Sequence, residues 1–251
     1  MIKLAKLNNK PEIFHSVQGE GKNMGKPSIF IRLSLCNLYC QWCDTDYTWN
    51  WEGTPFKHNY DQLPGYKKYH KEDLIELLSD EQILETVRAM NCNNIVITGG
   101  EPLAQQKDLR SLMKALKEQN PSTHIEFETN GTLKPLPEVD SLADQYNVSI
   151  KLSNSNVAIE DRIKPDAITF FANSPKANFK FVVDTNEDLL EIQELIEKYK
   201  IPRQAVYLMP QGTTVASLKQ KQQWIVEICK QYNFNYTDRL HIHIWGDKRG
   251  V

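Results

Sequence analysis

The stretch Ser28-Ile29-Phe30-Ile31-Arg32-Leu33-Ser34-Leu35, followed at once by Cys36-Asn37-Leu38-Tyr39-Cys40-Gln41-Trp42-Cys43, decides how the 251-residue chain is read. Its first half is a run of β-branched and large apolar residues, the pattern of a buried strand. Its second half projects three thiols from one tight loop at that strand's carboxyl end. In parallel α/β folds the chemistry gathers at those ends, on the loops that lead into helices.

Outward from this stretch, short β-rich runs recur at 94–98, 124–128, 148–152, 179–183, 205–209 and 240–245. Helical patterns fall between several of them. Ser79-Asp80-Glu81-Gln82 has the form of a capping box, opening a helix with Ile83, Leu84, Val87 and Met90 on one face. Leu109, Leu112, Met113 and Leu116 mark a second helix, and Leu189, Ile192, Leu195 and Ile196 a third that closes before Pro202. Leu218, Trp224, Ile225 and Ile228 mark a fourth. Strands alternating with helices favour right-handed crossovers, so the expected fold class is α/β: an incomplete parallel β/α barrel of about six strands. One domain over 1–251 is expected, with an aromatic-rich insertion at about 46–71 and a weakly patterned connection at 153–177.

Thirty basic and thirty-two acidic side chains leave a net charge of -2 with no block of one sign, which argues against a nucleic-acid partner. The stretch from Met1 to Asn9 lacks a signal peptide's apolar run, and no later run is long enough to span a bilayer. A cytoplasmic location is expected. Five cysteines is an odd number, and three of them lie within eight residues, which suits thiolate ligands in a reducing compartment better than a disulfide framework. Cys92 and Cys229 stand apart and are expected to be small core residues.

Three thiolates can bind three irons of a four-iron cluster and leave the fourth iron open to an outside ligand. A structural zinc site is the alternative, and it wants four Cys or His ligands in a closed sphere. No fourth ligand lies at finger-like spacing, although His15, His241 or His243 could come from afar.

Cysteines separated by three and then two residues resemble the signature of the radical S-adenosylmethionine superfamily. Gly99-Gly100-Glu101-Pro102 follows the strand Ile95-Val96-Ile97-Thr98. Alone it could be a plain turn, but here it resembles the superfamily's loop for the methionine amine, with Glu101 as acceptor. Glu128-Thr129-Asn130-Gly131-Thr132 resembles the segment near the cofactor's ribose and methionine, and Ser153 and Gln211 resemble the remaining cofactor contacts. The resemblance implies a 4Fe-4S cluster on Cys36, Cys40 and Cys43, with S-adenosylmethionine as cofactor.

A narrower resemblance runs along nearly the whole chain. Phe14 to Gly21, Gly25 to Arg32, Trp42-Cys43-Asp44-Thr45, Tyr47-Thr48-Trp49 and the terminal Trp245 to Val251 are similar to the 7-carboxy-7-deazaguanine synthase family. It implies a radical ring contraction of 6-carboxy-5,6,7,8-tetrahydropterin to 7-carboxy-7-deazaguanine with loss of ammonia, on the route to queuosine and other deazapurines. The reduced cluster supplies an electron, and a 5'-deoxyadenosyl radical takes hydrogen from ring carbon six, with no catalytic residue beyond cluster and cofactor. Substrate contacts are implied for Gln18, Gly19, Glu20, Arg32, Thr98, His241 and Val251. Arg32 offers a bidentate fork to the carboxylate, and Gln18 and Glu20 offer mixed donors and acceptors for the ring edge.

Thr45 resembles a hydroxyl ligand to Mg2+, with Asp44 a weaker candidate. The family also implies a flavodoxin-type electron donor and a homodimer. His241 and His243 share a parity on the expected last strand and would face the same side. The tail ending at Val251 is expected to fold over the substrate side, and the aromatic insertion to cover the cluster side or dock the reductant. This chain departs from the family at Leu35, where relatives carry Gly, and at Ser153-Asn154-Ser155, where they often carry Ser-Pro-Lys. The first change is expected to alter only loop packing.

Overall fold

A computed structural model describes residues 1–251. The strands are β1 (Ile2–Leu7), β2 (Lys10–Pro11), β3 (Ile13–Val17), β4 (Pro27–Leu33), β5 (Ile75–Leu78), β6 (Asn94–Gly99), β7 (His124–Thr129), β8 (Gln145–Val148), β9 (Ala177–Val183), β10 (Val206–Pro210) and β11 (Asn235–Tyr236). They form one sheet in the order β11-β10-β9-β8-β7-β6-β4-β1-β2, with β3 also on β4 and β5 also on β1. Every pairing from β4 to β11 is parallel. The pairings of β1, β2, β3 and β5 are antiparallel and form an N-terminal flank that the β/α alternation did not announce. β11 pairs only with β10, so the sheet stays open as an incomplete barrel.

The helices are α1 (Asp80–Arg88), α2 (Gln106–Gln119), α3 (Pro137–Leu142), α4 (Ile159–Arg162), α5 (Pro165–Ala172), α6 (Asp188–Tyr199), α7 (Val215–Tyr232) and α8 (Leu240–Trp245). Capping boxes open two of them: Ser79 with Gln82 starts α1, and Thr214 with Ser217 starts α7. Left-handed residues end α6 at Lys200 and α7 at Asn233. The α2 stripe Leu109, Leu112, Met113 and Leu116 is buried against the sheet. Each such side chain contributes roughly 2 kcal/mol by leaving water.

The two faces of the central strands differ in chemistry. Side chains alternate along a strand, and Ile125, Phe127, Tyr146, Val148, Phe179 and Phe181 enter the apolar core. Their neighbours Glu126, Glu128, Gln145, Asn147 and Lys180 line the concave side, largely buried. Buried polar groups must be bonded, and these are. Glu126 accepts from Gln18 Nε2 at 2.5 Å and from Asn147 Nδ2 and Asn23 Nδ2 at 2.6 Å.

Three expectations are corrected. The strand placed at 148–152 is β8, three residues earlier, because its inward Gln145 and Asn147 disguise a strand whose concave face is polar. Residues 153–177 are not a plain connection, since they hold α4 and α5. The run at 240–245 is α8 and not a strand: β11 already forms the sheet edge, and Leu240 N–H turns to donate to the Gly19 carbonyl at 2.9 Å. The stretch 46–71 carries short 3-10 turns at Asp46–Thr48 and Asn59–Gln62, tied by a bridge between Trp51 and Tyr69. No helix is long and apolar enough to cross a membrane.

Candidate active site

The ends of the parallel strands open onto one cavity, and Cys36, Cys40 and Cys43 line it together. The loop that carries them leaves β4 through Leu35 at φ +73°, a left-handed conformation that costs a residue with a Cβ. The change from Gly at this position therefore strains the backbone as well as altering packing. The loop interlocks with the one that follows β6. Gly100 N–H donates to the Leu33 carbonyl at 3.1 Å, and Glu101 N–H to the Leu35 carbonyl at 2.9 Å. A Cβ on Gly100 would fall 2.0 Å from the Leu35 oxygen, so this glycine is required by the backbone of the cysteine loop itself.

Burial pushes the Cys36 and Cys43 thiols up, and that of Cys40 up to about 12, with Lys151 the main cation opposing it there. Such thiols stay protonated until a metal displaces the proton. No three His, Cys, Asp or Glu side chains converge tightly enough to hold a single ion. A four-iron cluster instead takes one thiolate at each of three separate corners, so three cysteines spread around one cavity wall fit it better than a closed zinc site. Leu38 N–H, 3.4 Å from Cys36 Sγ, and Asn130 Nδ2, 4.0 Å from it, offer donors to that sulfur.

The aromatic insertion braces this loop. His58 is buried, and its Nδ1 accepts from Tyr60 N–H at 3.1 Å, which places the ring proton on Nε2. That nitrogen donates to the Cys43 carbonyl at 2.8 Å. Asp46, also buried, accepts from Tyr66 Oη at 2.5 Å, and Trp49, Phe56 and Tyr39 pack edge-on or stacked around the same loop.

Another part of the cavity wall is charged. Lys180 Nζ donates to Glu20 Oε2 at 2.5 Å and to Glu128 Oε2 at 2.8 Å. Arg239 Nε donates to Glu20 Oε1 at 3.0 Å, while its Nη2 pairs with Asp44. Burial raises the Glu20 carboxyl, but Lys180, Arg239 and His241 outweigh it and hold the group well below the usual range. Burial dominates at Glu128, whose carboxyl is pushed up despite Lys180. Burial also lowers the His241 imidazole, against the pull of Glu20.

Arg32 Nε is committed to Glu12 at 3.1 Å, and its terminal nitrogens have no protein acceptor where the side chain lines the cavity. Arg249 also bonds Glu12, at 2.7 Å, and its guanidinium lies 3.3 Å above the Tyr47 ring. That anchor draws Asp247 to Val251 across the cavity, as expected of the tail.

Most of the residues marked in the sequence meet here: Gln18, Gly19, Glu20, Arg32, Thr45, Thr98, Gly99, Gly100, Glu128, Asn130, Gln211, His241 and Val251 all line this cavity. Two do not. Glu101 is fully buried and turned inward, accepting from Leu103 N–H and Thr129 Oγ1 at 2.9 Å and from Asn130 N–H at 2.7 Å, so it ties two loops together. Ser153 is exposed, its N–H donating to Glu191, and Ser149 and Lys151 take its place on the wall. His241 reaches the site from the first turn of α8, where a Cβ on Gly19 would strike its ring. His243 does not share that side: residues two apart on a helix point nearly opposite ways, and it pairs with Asp238 at 3.2 Å.

Lys180, Arg239 and His58 were not singled out in the sequence. Lys180 had a readable signal, as a lone cation in the apolar run Phe179 to Val183.

A sequence model described as the Radical SAM superfamily matches residues 31–220. The chain belongs to that superfamily. Membership implies a 4Fe-4S cluster and S-adenosylmethionine. The chain is 35% identical over 240 residues to the 7-carboxy-7-deazaguanine synthase of Pyrobaculum aerophilum, covering 95% of each. It is 33% identical to that of Rhodopirellula baltica, covering 96% of this chain and 87% of that protein. The crystal structure of QueE from Escherichia coli superposes with a TM-score of 0.65 at 26% identity, over 94% of this chain and 93% of that one.

Proposed function

We propose that this radical S-adenosylmethionine enzyme converts 6-carboxy-5,6,7,8-tetrahydropterin to 7-carboxy-7-deazaguanine with loss of ammonia, in queuosine and deazapurine biosynthesis. The observation that carries the reading is that one cavity is lined both by the three cysteines and by Gln18, Glu20, Arg32, His241 and the tail to Val251. When bound, the cluster and S-adenosylmethionine supply the electron and the adenosyl radical that open the reaction.

The chain's own residues bind and orient. The free nitrogens of Arg32 suit a substrate carboxylate, and Gln18, Glu20 and His241 suit a ring edge rich in N–H groups. Thr98 and the tail Asp247 to Val251 line the same cavity. Gly99, Gly100, Glu128, Asn130 and Gln211 are the proposed cofactor contacts. Gln211 Oε1 is held 3.2 Å from Lys221 Nζ, which leaves its amide nitrogen free to donate. Thr45 is the proposed Mg2+ ligand: its hydroxyl caps no helix, and it lies beside Cys43, on the cavity wall. A flavodoxin-type donor, a homodimer and a reducing cytoplasm complete the reading, the last supported by five free thiols.

The test is anaerobic turnover by reconstituted protein with dithionite, S-adenosylmethionine, Mg2+ and carboxytetrahydropterin. Carboxydeazaguanine is the expected product, with activity falling when Mg2+ is withheld. Failure to form it with a fully loaded cluster would overturn the assignment.

A further inference from the structure

Lys180 stands in the middle of β9, is 5% exposed and lines the cavity. Its ammonium carries three N–H donors. Two are taken by Glu20 and Glu128, and no other acceptor of the chain bonds the third. A buried donor without a partner is costly, so the third N–H calls for an acceptor that comes from the ligand. On either side of it stand carboxylate oxygens, which only accept. Glu20 is fixed from behind by Arg239, and Glu128 by Asn147 Nδ2 at 2.8 Å and Gln18 Nε2 at 3.1 Å.

We propose that Lys180 is a specificity-determining residue for the ring carbonyl of the substrate: it donates to that oxygen while one of its two carboxylate partners accepts from the ring N–H next to it. The inference rests on the pterin reading above and deepens it. A donor beside an acceptor matches the 4-oxo and N3–H positions of a 2-amino-4-oxo-pyrimidine edge. A 2,4-diamino ring would set N–H against N–H at Lys180 and be rejected by that clash.

The test uses the reconstituted holoenzyme with S-adenosylmethionine bound and two air-stable probes, 6-carboxypterin and 2,4-diaminopteridine-6-carboxylate, titrated to equilibrium. Native protein should prefer the 4-oxo probe by roughly a hundredfold or more. In Lys180→Met the 4-oxo probe should weaken at least about tenfold and the preference shrink to a few fold, because the released carboxylates now accept from the 4-amino group. Lys180→Arg should restore part of the preference. Should Lys180→Met fail to fold, the charge-balanced Lys180→Met, Glu128→Gln pair takes its place with the same expected loss. An unchanged preference in either variant would overturn the assignment of Lys180. Native holoenzyme that makes no carboxydeazaguanine would instead overturn the reading of the function itself, so the two failures are distinct.

Discussion

In one part of the cavity wall eight consecutive residues deliver all three thiols, whereas in the charged part Gln18, Glu20, Glu128, Lys180, Arg239 and His241 converge from segments scattered over the length of the chain. The first is a local motif whose sulfurs wait for a metal. The second is a set of buried charges that balance only when the whole sheet is in place, since a desolvated ion without its partner is strongly unfavourable. Substitutions in the first part should therefore remove chemistry and spare the fold. Those at the second should cost both.

The largest effect expected is at Cys40. Cys40→Ala should abolish 5'-deoxyadenosine formation and cluster loading while leaving the melting of the metal-free protein nearly unchanged; a variant keeping its iron and activity would refute the ligand assignment. Arg239→Leu should destabilise the protein by about 4 kcal/mol in urea unfolding, because Glu20 and Asp44 lose a buried partner. A loss under about 1 kcal/mol would erase the distinction between the two parts. Gly100→Ala joins the ends of the comparison: overpacking against Leu35 should cost about 2 kcal/mol and lower iron content per chain together.

A smaller effect is expected from pH. The folded-state pKa of Glu20 lies below its ordinary value of 4.5, so its ion pairs add stability that is fully present above that value and is lost as the pH falls through the lowered one. The stability gap between native protein and Glu20→Gln, followed by denaturant titration, should accordingly narrow below about pH 4.5 and hold steady from pH 5.5 to 8. The smallest change should be a gain. Leu35→Gly relieves a left-handed φ and should raise stability by about 1 kcal/mol, seen as a melting temperature a few degrees higher.

The cluster loop and the Gly-Gly-Glu-Pro turn were legible because both depend on residue type at fixed spacing just after an apolar strand. The helices were legible for a related reason, their stripes and capping boxes being local. Legibility failed where the concave face replaced apolar residues with polar ones. Gln145 and Asn147 hid β8, and the alternating run Leu240 to Trp245 imitated a strand but folds as α8. The direction of Glu101 was not legible for a different reason, because a carboxylate in a loop can turn either way, and here it accepts from three inward donors.

By itself the sequence determined that three thiols would share one loop at a strand's end in an open parallel β/α barrel, because spacing and periodicity are properties of neighbouring residues. Only the tertiary structure decided that Lys180 would lie between Glu20 and Glu128, that Arg239 would close the pair, and that His241 would arrive from a helix. Those partners stand far apart in the chain and meet only where the folded sheet excludes water, and it is that exclusion which gives their charges the strength to fix a ligand.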